Sequence, residues 1–291
     1  MTPVRIVQSK QNLRLKELRR ALARPAREAV APAAGDSRIL VGIEGPNLVE
    51  EALRAGLRVP SVFVAQGLEH LIESLPLPAE TEILLVPRDV LNSVLATETP
   101  QPVAALIEPP DWTWAHIVGS RILGAKEKSP ALIVVLDGLQ DPGNLGTILR
   151  SAEAFGAHGV LCLRGTVSAW NPKAVRASAG SVFRLPVLAV SAQDCFEHLL
   201  EAGVKIWTTA VRGAQPAHLV NLAGPAAFLI GNEGSGVSEQ IAAQATGRLT
   251  IPCPGPVESL NASVAASLLL YEASRQRSVS DGPPDLRGAQ R

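Results

Sequence analysis

Short apolar runs alternate with amphipathic stretches along most of this chain. Runs such as ALIVVL at 131–136 are strand-length and rich in Val, Ile and Leu, which is typical of strands buried on both faces. The stretches between them carry apolar residues at the spacing of a helix. This alternation predicts an α/β fold in which helices join the strands.

The pattern divides at 108–130, where two adjacent prolines, two glycines and the charged run at 126–128 are typical of a linker. The first part, 1–107, is predicted to be a small α/β domain that follows a basic helix. The pattern predicts its helices over 11–23, 46–56, 67–74 and 88–96 and its strands over 38–45, 59–65, 83–87 and 102–107.

The second part, 131–277, is predicted to be a mostly parallel sheet with helices on both faces. The pattern predicts strands over 131–136, 159–163, 182–189, 204–209, 226–230 and 248–252 and helices over 145–156, 171–179, 193–202, 237–244 and 259–276. The remaining residues, 278–291, are polar and rich in Pro and Gly. We therefore expect them to form a disordered tail.

Composition excludes several classes of protein. Hydrophobic residues make up 46% of the chain, which is ample for a buried core. No apolar run reaches the length of a membrane span, and the N-terminus lacks the apolar segment of a signal peptide. Cys162, Cys195 and Cys253 are too few and too scattered for a disulfide framework or a metal site. We expect a cytoplasmic protein with buried, reduced thiols, no metal and no membrane contact.

Charge is balanced overall but not along the chain. The net charge is zero, yet residues 1–30 carry eight Lys or Arg against two acids. A basic N-terminal helix suits either a phosphate-contacting arm or a solvated face. Trp112 and Trp114, in the predicted linker, suit either stacking on a base or packing of the linker onto a domain surface.

Three distant segments each place a polar or Gly-rich turn between a short apolar strand and a helix. They are DPGNLGTILRSAEAFGAHGV at 141–160, FLIGNEGSGVSEQ at 228–240 and IPCPGPVESLNASVAASLLLYEA at 251–273. Ligand sites in open α/β sheets form at such strand ends. We therefore expect the three segments to build one site.

Taken singly, the polar residues of these segments have structural as well as functional interpretations. Asn144 suits a helix cap, and Arg150, about two turns later, suits a surface position. The glycines of GNEGSG predict backbone amides that are open to a ligand. Glu233 suits either a solvated charge or a contact with a ligand amine or a partner arginine. Ser259 and Asn261 lie at a helix start, either as caps or as groups that face a ligand.

In combination, the segments closely resemble the three signature motifs of the SpoU/TrmH family of RNA ribose 2'-O-methyltransferases, within the SPOUT superfamily. The matching residues are Asn144, Gly146 and Arg150 in NxGxxxR, IGNEGxG at 230–236 and SLNxSVA at 259–265. The resemblance covers about 128–275. The first domain resembles, more loosely, the substrate-binding domain of many members.

The resemblance implies an α/β domain with a deep trefoil knot, in which S-adenosylmethionine binds bent. The matching positions imply that Gly231, Ile251 and Leu260 hold the adenine and ribose through backbone groups. They also imply that Thr209 and Ala210, at the neighbouring strand end, belong to the cofactor site. The family acts as a dimer, and the apolar stripe of the last helix, Leu260, Val264, Leu268 and Tyr271, is interpreted as core or as subunit contact.

The implied reaction is transfer of the methyl group from sulfonium sulfur to a ribose 2'-oxygen of structured RNA, with a loop of ribosomal RNA ahead of transfer RNA as the substrate. Because a guanidinium remains positively charged in proteins, we interpret Arg150 as an electrostatic clamp on the target phosphate and 2'-oxygen. Asn144 is expected to orient the ribose or its phosphate, and Glu233 to fix Arg150 or an arginine of the partner chain. Ser259 and Asn261 are expected to position the phosphate or the hydroxyl.

Three other interpretations remain open at this point. One is methylation of an RNA base by another SPOUT activity, and a second is a non-catalytic RNA-binding protein. The third is a dinucleotide-dependent oxidoreductase, which the glycine order GxxGxG disfavours because that class uses GxGxxG.

Overall fold

The computed structural model describes residues 4–23, 39–95, 97, 99–118, 129–210, 213–257 and 259–280. Contacts divide the chain into two units, each with its own sheet. The first unit comprises Met1–Asp111 and Ser168–Arg184, and the second comprises Trp112–Val167 and Leu185–Arg291.

The helices and strands alternate as the sequence pattern predicts. In the first half they are β1 (Val4–Ile6), α1 (Leu13–Ala23), β2 (Val41–Glu44), α2 (Pro46–Arg54), β3 (Ser61–Ala65), β4 (Glu82–Val86), α3 (Arg88–Asn92), β5 (Val103–Ile107), α4 (Trp114–Val118), β6 (Leu132–Asp137) and α5 (Pro142–Ala154). In the second half they are β7 (Gly159–Cys162), α6 (Pro172–Ala177), β8 (Val187–Ala189), α7 (Ala192–Glu201), β9 (Lys205–Thr209), β10 (Gln215–Pro216), β11 (Ala226–Gly231), α8 (Glu239–Ala242), β12 (Gly247–Thr250) and α9 (Ala262–Ser280).

The first unit has a mixed five-stranded sheet in the order β1-β4-β3-β5-β2. Strands β1, β4 and β3 are parallel, whereas β5 runs antiparallel to both of its neighbours. Helix α1 packs on this sheet through Leu15, Leu18 and Leu22, which belong to one buried cluster with Phe63 and Leu84. These leucines recur at helical spacing, so the sequence pattern itself places the core face of α1.

The second unit has a seven-stranded sheet in the order β10-β12-β9-β11-β6-β7-β8. Every pairing in it is parallel, which confirms the predicted parallel α/β architecture. Strand β6 and strand β11 are buried along almost their whole length, as parallel strands covered on both faces are expected to be. All the carboxyl ends therefore lie at one edge of the sheet.

Several sequence predictions are wrong in detail. The predicted strand 182–189 begins as a 3-10 helix, Ser181–Phe183, and only Val187–Ala189 pairs as a strand. Gly180, with φ of +86°, turns the chain there, and Val182 and Phe183 are buried without being in a strand. The predicted helix 67–74 contains only the 3-10 turn Glu69–Leu71.

Other elements fall where none was expected. Helix α4 lies inside the predicted linker 108–130, and the short strands β1 and β10 have no clear apolar pattern. Helix α9 continues to Ser280, so the prediction of a disordered tail from 278 is wrong for its first three residues. The remainder of that prediction, 281–291, lies outside the described residues.

The segment 168–184 was expected in the second part but groups with the first unit. Its Arg184 forms an ion pair with Glu51 of α2 at 2.6 Å. A side chain at Gly180 would lie 2.8 Å from the Cβ of Glu51, so the chain approaches α2 closely at that point. The domain boundaries at 107 and 131 remain predictions.

Two of the three cysteines are buried, as expected, and the third is not. Cys162 and Cys195 are buried, and burial raises the pKa of each thiol to about 12, so both stay protonated. The expectation of a buried thiol is wrong for Cys253, which is exposed and donates to the backbone oxygen of Ile251 at 3.3 Å. Of the helices that the structure describes, none has both the length and the apolar character needed to cross a membrane.

Candidate active site

The three predicted segments follow three strands whose carboxyl ends lie at one edge of the second sheet. Strand β11 pairs with β6, with Gly231 opposite Asp137. Strand β9 lies on the other side of β11 and pairs with β12, with Thr209 opposite Leu249. The segments after β6, β11 and β12 therefore begin at one edge of the sheet, with β6 next to β11 and with β9 between β11 and β12.

The first segment begins with a capped helix. The N-cap of α5 is Asp141, whose carboxylate accepts the backbone N–H of Asn144 at 2.8 Å, and Pro142 follows at the first helical position. The interpretation of Asn144 as the cap is therefore wrong. Because Asp141 fills that role, the amide side chain of Asn144 is available for contacts outside the helix.

The second segment is a tight loop organised by Asn232. The Asn232 side-chain oxygen accepts the backbone N–H groups of Gly234 at 2.9 Å and Ser235 at 3.2 Å. The backbone N–H of Gly236 donates to the carbonyl of Asn232 at 2.9 Å. The amides of Gly234 and Gly236 are thus satisfied within the loop, and the prediction that they are open to a ligand is wrong.

Two side chains hold this loop against the end of β6. Asn232 donates to the carbonyl of Gly138 at 2.9 Å, and the Asp137 carboxylate accepts the backbone N–H of Ser238 at 3.0 Å and its hydroxyl at 3.1 Å. Sequence reasoning missed both residues. The signals were an aspartate at the end of a buried strand and an asparagine within a Gly-rich turn, a residue type that bonds its own turn backbone.

Gly231 is where this loop passes closest to its own strand. A Cβ atom at Gly231 would lie 2.1 Å from the carbonyl carbon of Gly236 and 2.2 Å from the nitrogen of Val237. Only glycine permits that approach. The absence of a side chain therefore shapes the loop that presents Glu233.

In the third segment, Asn261 directly precedes α9. The Asn261 side-chain oxygen accepts the backbone N–H of Ser263 at 2.9 Å and the Ser263 hydroxyl at 2.7 Å, as a helix cap does. Its amide nitrogen points elsewhere and donates to the side-chain oxygen of Asn144 at 3.0 Å. Ser259 is exposed and forms no hydrogen bond with any residue that the structure describes.

Glu233, Asn144 and Asn261 form a continuous chain of hydrogen bonds across the three segments. The Asn144 amide donates to the Glu233 carboxylate at 3.0 Å while its oxygen accepts from Asn261. Glu233 also accepts the backbone N–H groups of Asp141 at 3.2 Å and Gln140 at 3.4 Å. The charged carboxylate fixes the direction of every amide in this chain, since it can only accept.

The pKa of Glu233 reflects the same contacts. Partial burial is the largest single influence and raises the pKa of the Glu233 carboxyl. Hydrogen bonds from the Asn144 amide and from nearby backbone N–H groups act in the opposite direction, and their sum lowers the pKa below its ordinary value. Glu233 is therefore a carboxylate at neutral pH.

Arg150 lies on the exposed face of α5, apart from this chain. It makes no ion pair or hydrogen bond with another described residue, so the expected pairing with Glu233 is absent within the chain. Next to Arg150, the hydroxyls of Ser151 and Ser267 are hydrogen bonded at 2.7 Å and tie α5 to α9. Arg150 is thus carried on a fixed helix with its guanidinium free to meet an anion.

The predicted cofactor residues lie at the same edge of the sheet or just before α9. Thr209 ends β9, Gly231 ends β11 and Ile251 follows β12. The Ala210 backbone N–H donates to Leu249 at 2.9 Å. Leu260 is half-buried, and its backbone N–H makes no hydrogen bond to a described residue. The half-buried aliphatic side chains of Ile251 and Leu260, with the Leu260 N–H beside them, suit an adenosine, which has apolar faces and a polar edge.

The described part of the chain contains no cluster of metal-binding side chains. There, no three His, Cys, Asp or Glu residues are grouped so that they could hold an ion.

Two family profiles match this chain, and together with its relatives in sequence they show that it belongs to the SpoU family of RNA methyltransferases. The profile of the SpoU rRNA methylase family matches residues 131–271. The profile of the RNA 2'-O ribose methyltransferase substrate-binding domain matches residues 43–113.

Two relatives illustrate the match in sequence. The 23S rRNA (guanosine(2553)-2'-O)-methyltransferase RlmP of Bacillus subtilis is 33% identical over 231 residues, which are 79% of this chain and 86% of that protein. An uncharacterized tRNA/rRNA methyltransferase of Mycolicibacterium vanbaalenii is 36% identical over 239 residues, which are 80% of this chain and 76% of that protein.

Two solved structures superpose on nearly the whole of this chain. An RNA 2'-O ribose methyltransferase is 33% identical and superposes with a TM-score of 0.73, covering 94% of this chain and 99% of that one. The SpoU methyltransferase AviRb of Streptomyces viridochromogenes, in complex with S-adenosylmethionine, is 28% identical with a TM-score of 0.75 and covers 92% of this chain and 98% of that one.

Proposed function

We propose that this protein transfers the methyl group of S-adenosylmethionine to a ribose 2'-hydroxyl of structured ribosomal RNA. The observation that carries the proposal is the hydrogen-bonded chain Glu233–Asn144–Asn261, which joins the three family segments. Asn144 lies on α5, the same helix that carries Arg150. The 23S rRNA 2'-O-methyltransferase of Bacillus subtilis, related over most of both chains, supports the ribose and the ribosomal substrate.

The cofactor would bind at the carboxyl ends of the strands and just before α9. Backbone groups of Thr209, Ala210, Gly231, Ile251 and Leu260 would hold the adenosine. When bound, S-adenosylmethionine supplies an electrophilic methyl group on a sulfonium sulfur. The protein must place a ribose 2'-oxygen in line with that methyl group and stabilise the negative charge that develops on the oxygen.

We assign to Arg150 the stabilisation of the negative charge that develops on the 2'-oxygen. Because guanidinium groups carry a positive charge in proteins, we assign Arg150 the role of an electrostatic clamp and not that of a base. It is exposed and has no acidic partner among the described residues, which leaves its fork of N–H groups for the target phosphate and the 2'-oxygen. Ser259, exposed at the start of the third segment, would position the phosphate.

We propose that Asn144 positions the site, in place of the contact with the ribose or its phosphate that the sequence suggests. Its amide nitrogen and oxygen are both engaged, by Glu233 and by Asn261. We therefore assign Asn144 and Glu233 to positioning, with the carboxylate anchoring the amide and the amide holding Asn261 and α9 against α5. An arginine of a partner chain as a further contact of Glu233 stays a prediction.

The proposed active form is a homodimer built through the C-terminal unit. Val264, Leu268 and Tyr271 on α9 are 46%, 42% and 52% exposed, so the core interpretation is wrong for these three residues of the stripe, and a subunit contact is favoured. The trefoil knot and the cytoplasmic location are further predictions of the family resemblance.

The test is methyl transfer from radiolabelled S-adenosylmethionine to size-fractionated bacterial RNA from cells that lack the protein. We expect label in a ribosomal RNA fraction with the wild-type protein and none with Arg150→Ala. Label in transfer RNA alone would overturn the ribosomal assignment. Cofactor binding without transfer to any RNA fraction would favour a non-catalytic RNA-binding protein.

A further inference from the structure

Helix α1 lies outside both regions that the family profiles match. Those regions are 43–113 and 131–271, whereas α1 spans Leu13–Ala23. The helix is nevertheless a fixed part of the first unit. Asn12 caps its first turn by accepting the backbone N–H of Arg14 at 2.9 Å, and Leu15, Leu18 and Leu22 are buried.

The attachment of α1 to the sheet is close as well as apolar. A Cβ atom at Gly42 of β2 would lie 2.7 Å from the Cγ of Leu22 and 3.1 Å from its backbone nitrogen. Only glycine at this position permits the helix to approach the strand so closely. The polar side chains of α1 are therefore presented on a rigid surface.

The cations of α1 fall into two groups. Arg14 is neutralised by ion pairs with Glu17 at 2.9 Å and Glu82 at 3.1 Å. Lys16, Arg19 and Arg20 are exposed and make no ion pair with a residue that the structure describes. We call these three residues the basic ridge.

Helix geometry places the basic ridge on the side away from the paired arginine. At 3.6 residues per turn, Lys16, Arg19 and Arg20 cover an arc of about 100° on the solvent side of the buried leucines. Arg14 lies across the leucine stripe from that arc. The nearest acid along the helix, Glu17, is paired with Arg14. Because Lys16 lies three and four residues before Arg19 and Arg20, these cations repel one another, and an anionic partner stabilises them.

We propose that the basic ridge binds backbone phosphates of the RNA substrate, as a contact surface additional to the matched substrate-binding domain. The inference rests on the proposed function, because RNA is the polyanion that the protein must hold. Phosphate contacts position an RNA without reading its sequence, and a rigid row of cations one helical turn long supplies such contacts. The ridge would thus aim the substrate and leave target selection to other residues.

The test compares two triple variants with the same change in charge. K16Q/R19Q/R20Q removes the basic ridge, and R14Q/R54Q/R58Q removes three cations of the same unit that are paired with Glu17, Glu50 and Glu108. Binding of an in vitro transcribed ribosomal RNA is measured against salt concentration, together with cofactor binding and methyl transfer.

We expect the ridge variant to bind RNA at least about tenfold more weakly at 0.1 M salt, with the slope of log affinity against log salt reduced by about 2. Its KM for RNA should rise while kcat at saturating RNA and cofactor affinity stay unchanged. The control variant should keep most of the wild-type slope.

Equal slopes for the two variants would overturn the proposal while leaving the methyltransferase intact. Wild-type protein that transfers no methyl group would instead count against the proposed function. Binding of the wild type, but not the ridge variant, to vesicles of anionic lipid with no effect on RNA affinity would assign the ridge to a membrane surface and also overturn the proposal.

Discussion

The side chain of Asn144 donates a hydrogen bond to Glu233 and accepts one from Asn261, at 3.0 Å in each case. Its partners lie 89 and 117 residues away in the sequence. One amide thus joins the helix that carries Arg150, the Gly-rich loop and the start of α9. If these hydrogen bonds position the site, a substitution that removes the donor or the acceptor of Asn144 should lower the turnover rate more than the affinity for RNA or cofactor.

Asn144→Asp tests this role through pH. The new carboxylate would lie beside Glu233, and two like charges about 3 Å apart cannot both ionise without repulsion. We expect turnover to fall strongly at pH 8 and to recover partly as the pH is lowered and one proton is shared. Asn144→Ala should show the loss without the recovery. Parallel pH profiles of kcat for the two variants would refute the role of the amide.

Arg150→Lys separates charge from shape at the proposed clamp. Lysine keeps the positive charge but lacks the planar fork that contacts a phosphate and an oxygen together. Since a lost preorganised donor typically costs about 10²–10³ in rate, we expect kcat to fall by about that factor while cofactor affinity, measured by calorimetry, is retained. Near-normal turnover of this variant would contradict the clamp.

Gly231→Ala should open the loop that presents Glu233. The added methyl group would lie 2.1 Å from the carbonyl carbon of Gly236, so the backbone must move. We expect a loss of about 1–3 kcal/mol in the free energy of unfolding, together with much weaker cofactor binding. Gly234→Ala is the matched control, because its nearest neighbouring atom would be 3.5 Å away. Equal effects of the two changes would show that loop shape does not matter.

His158 should make the second unit sensitive to mild acid. Its Nδ1 accepts the backbone N–H of Leu132 at 3.1 Å. Burial, followed by the charge of Arg277, lowers the pKa of His158, and these outweigh the opposing hydrogen bond at Ser129. The unfolded chain therefore binds the proton more readily, so stability is complete above about pH 6.5 and falls as the pH drops below that value.

The measurement is the urea midpoint of unfolding between pH 7.5 and 5.5. His158→Asn keeps an acceptor close to the position of Nδ1 but does not titrate. We expect the variant to lose less stability than the wild type over this range. Identical losses would mean that other groups control the acid sensitivity.

Leu268→Glu tests the proposed homodimer. A charge in the exposed stripe of Val264, Leu268 and Tyr271 would be desolvated in a subunit interface, so we expect light scattering to report a monomer. Leu200→Glu is the control, because Leu200 is 78% exposed on α7, away from α9 in sequence. A monomeric wild type, or a dimer that survives Leu268→Glu, would contradict the interface.

The sequence predicted the parallel sheet and the strand ends because both depend on local apolar runs. It also contained the signal for the true cap of α5, since Asp141 precedes a proline at the first helical position. The hydrogen-bond partners of Asn144 could not be predicted, nor could the hydrogen bonds from Ser238 to the Asp137 carboxylate. Both depend on the register of strands that are far apart in the chain. The exposed cysteine, Cys253, was missed because composition alone does not place a thiol.

The central claim is that the methyl group goes to a ribose oxygen, and the product decides it most directly. Ribosomal RNA methylated by the wild-type protein should be digested to nucleosides and analysed by mass, and a parallel sample should be cleaved with alkali. We expect the added 14 Da, the mass of one CH₂ unit, on the sugar fragment and a gap in the alkaline ladder, since a 2'-O-methyl group removes the hydroxyl that attacks the phosphate. Added mass on the base fragment with an uninterrupted ladder would contradict the account and identify a base methyltransferase.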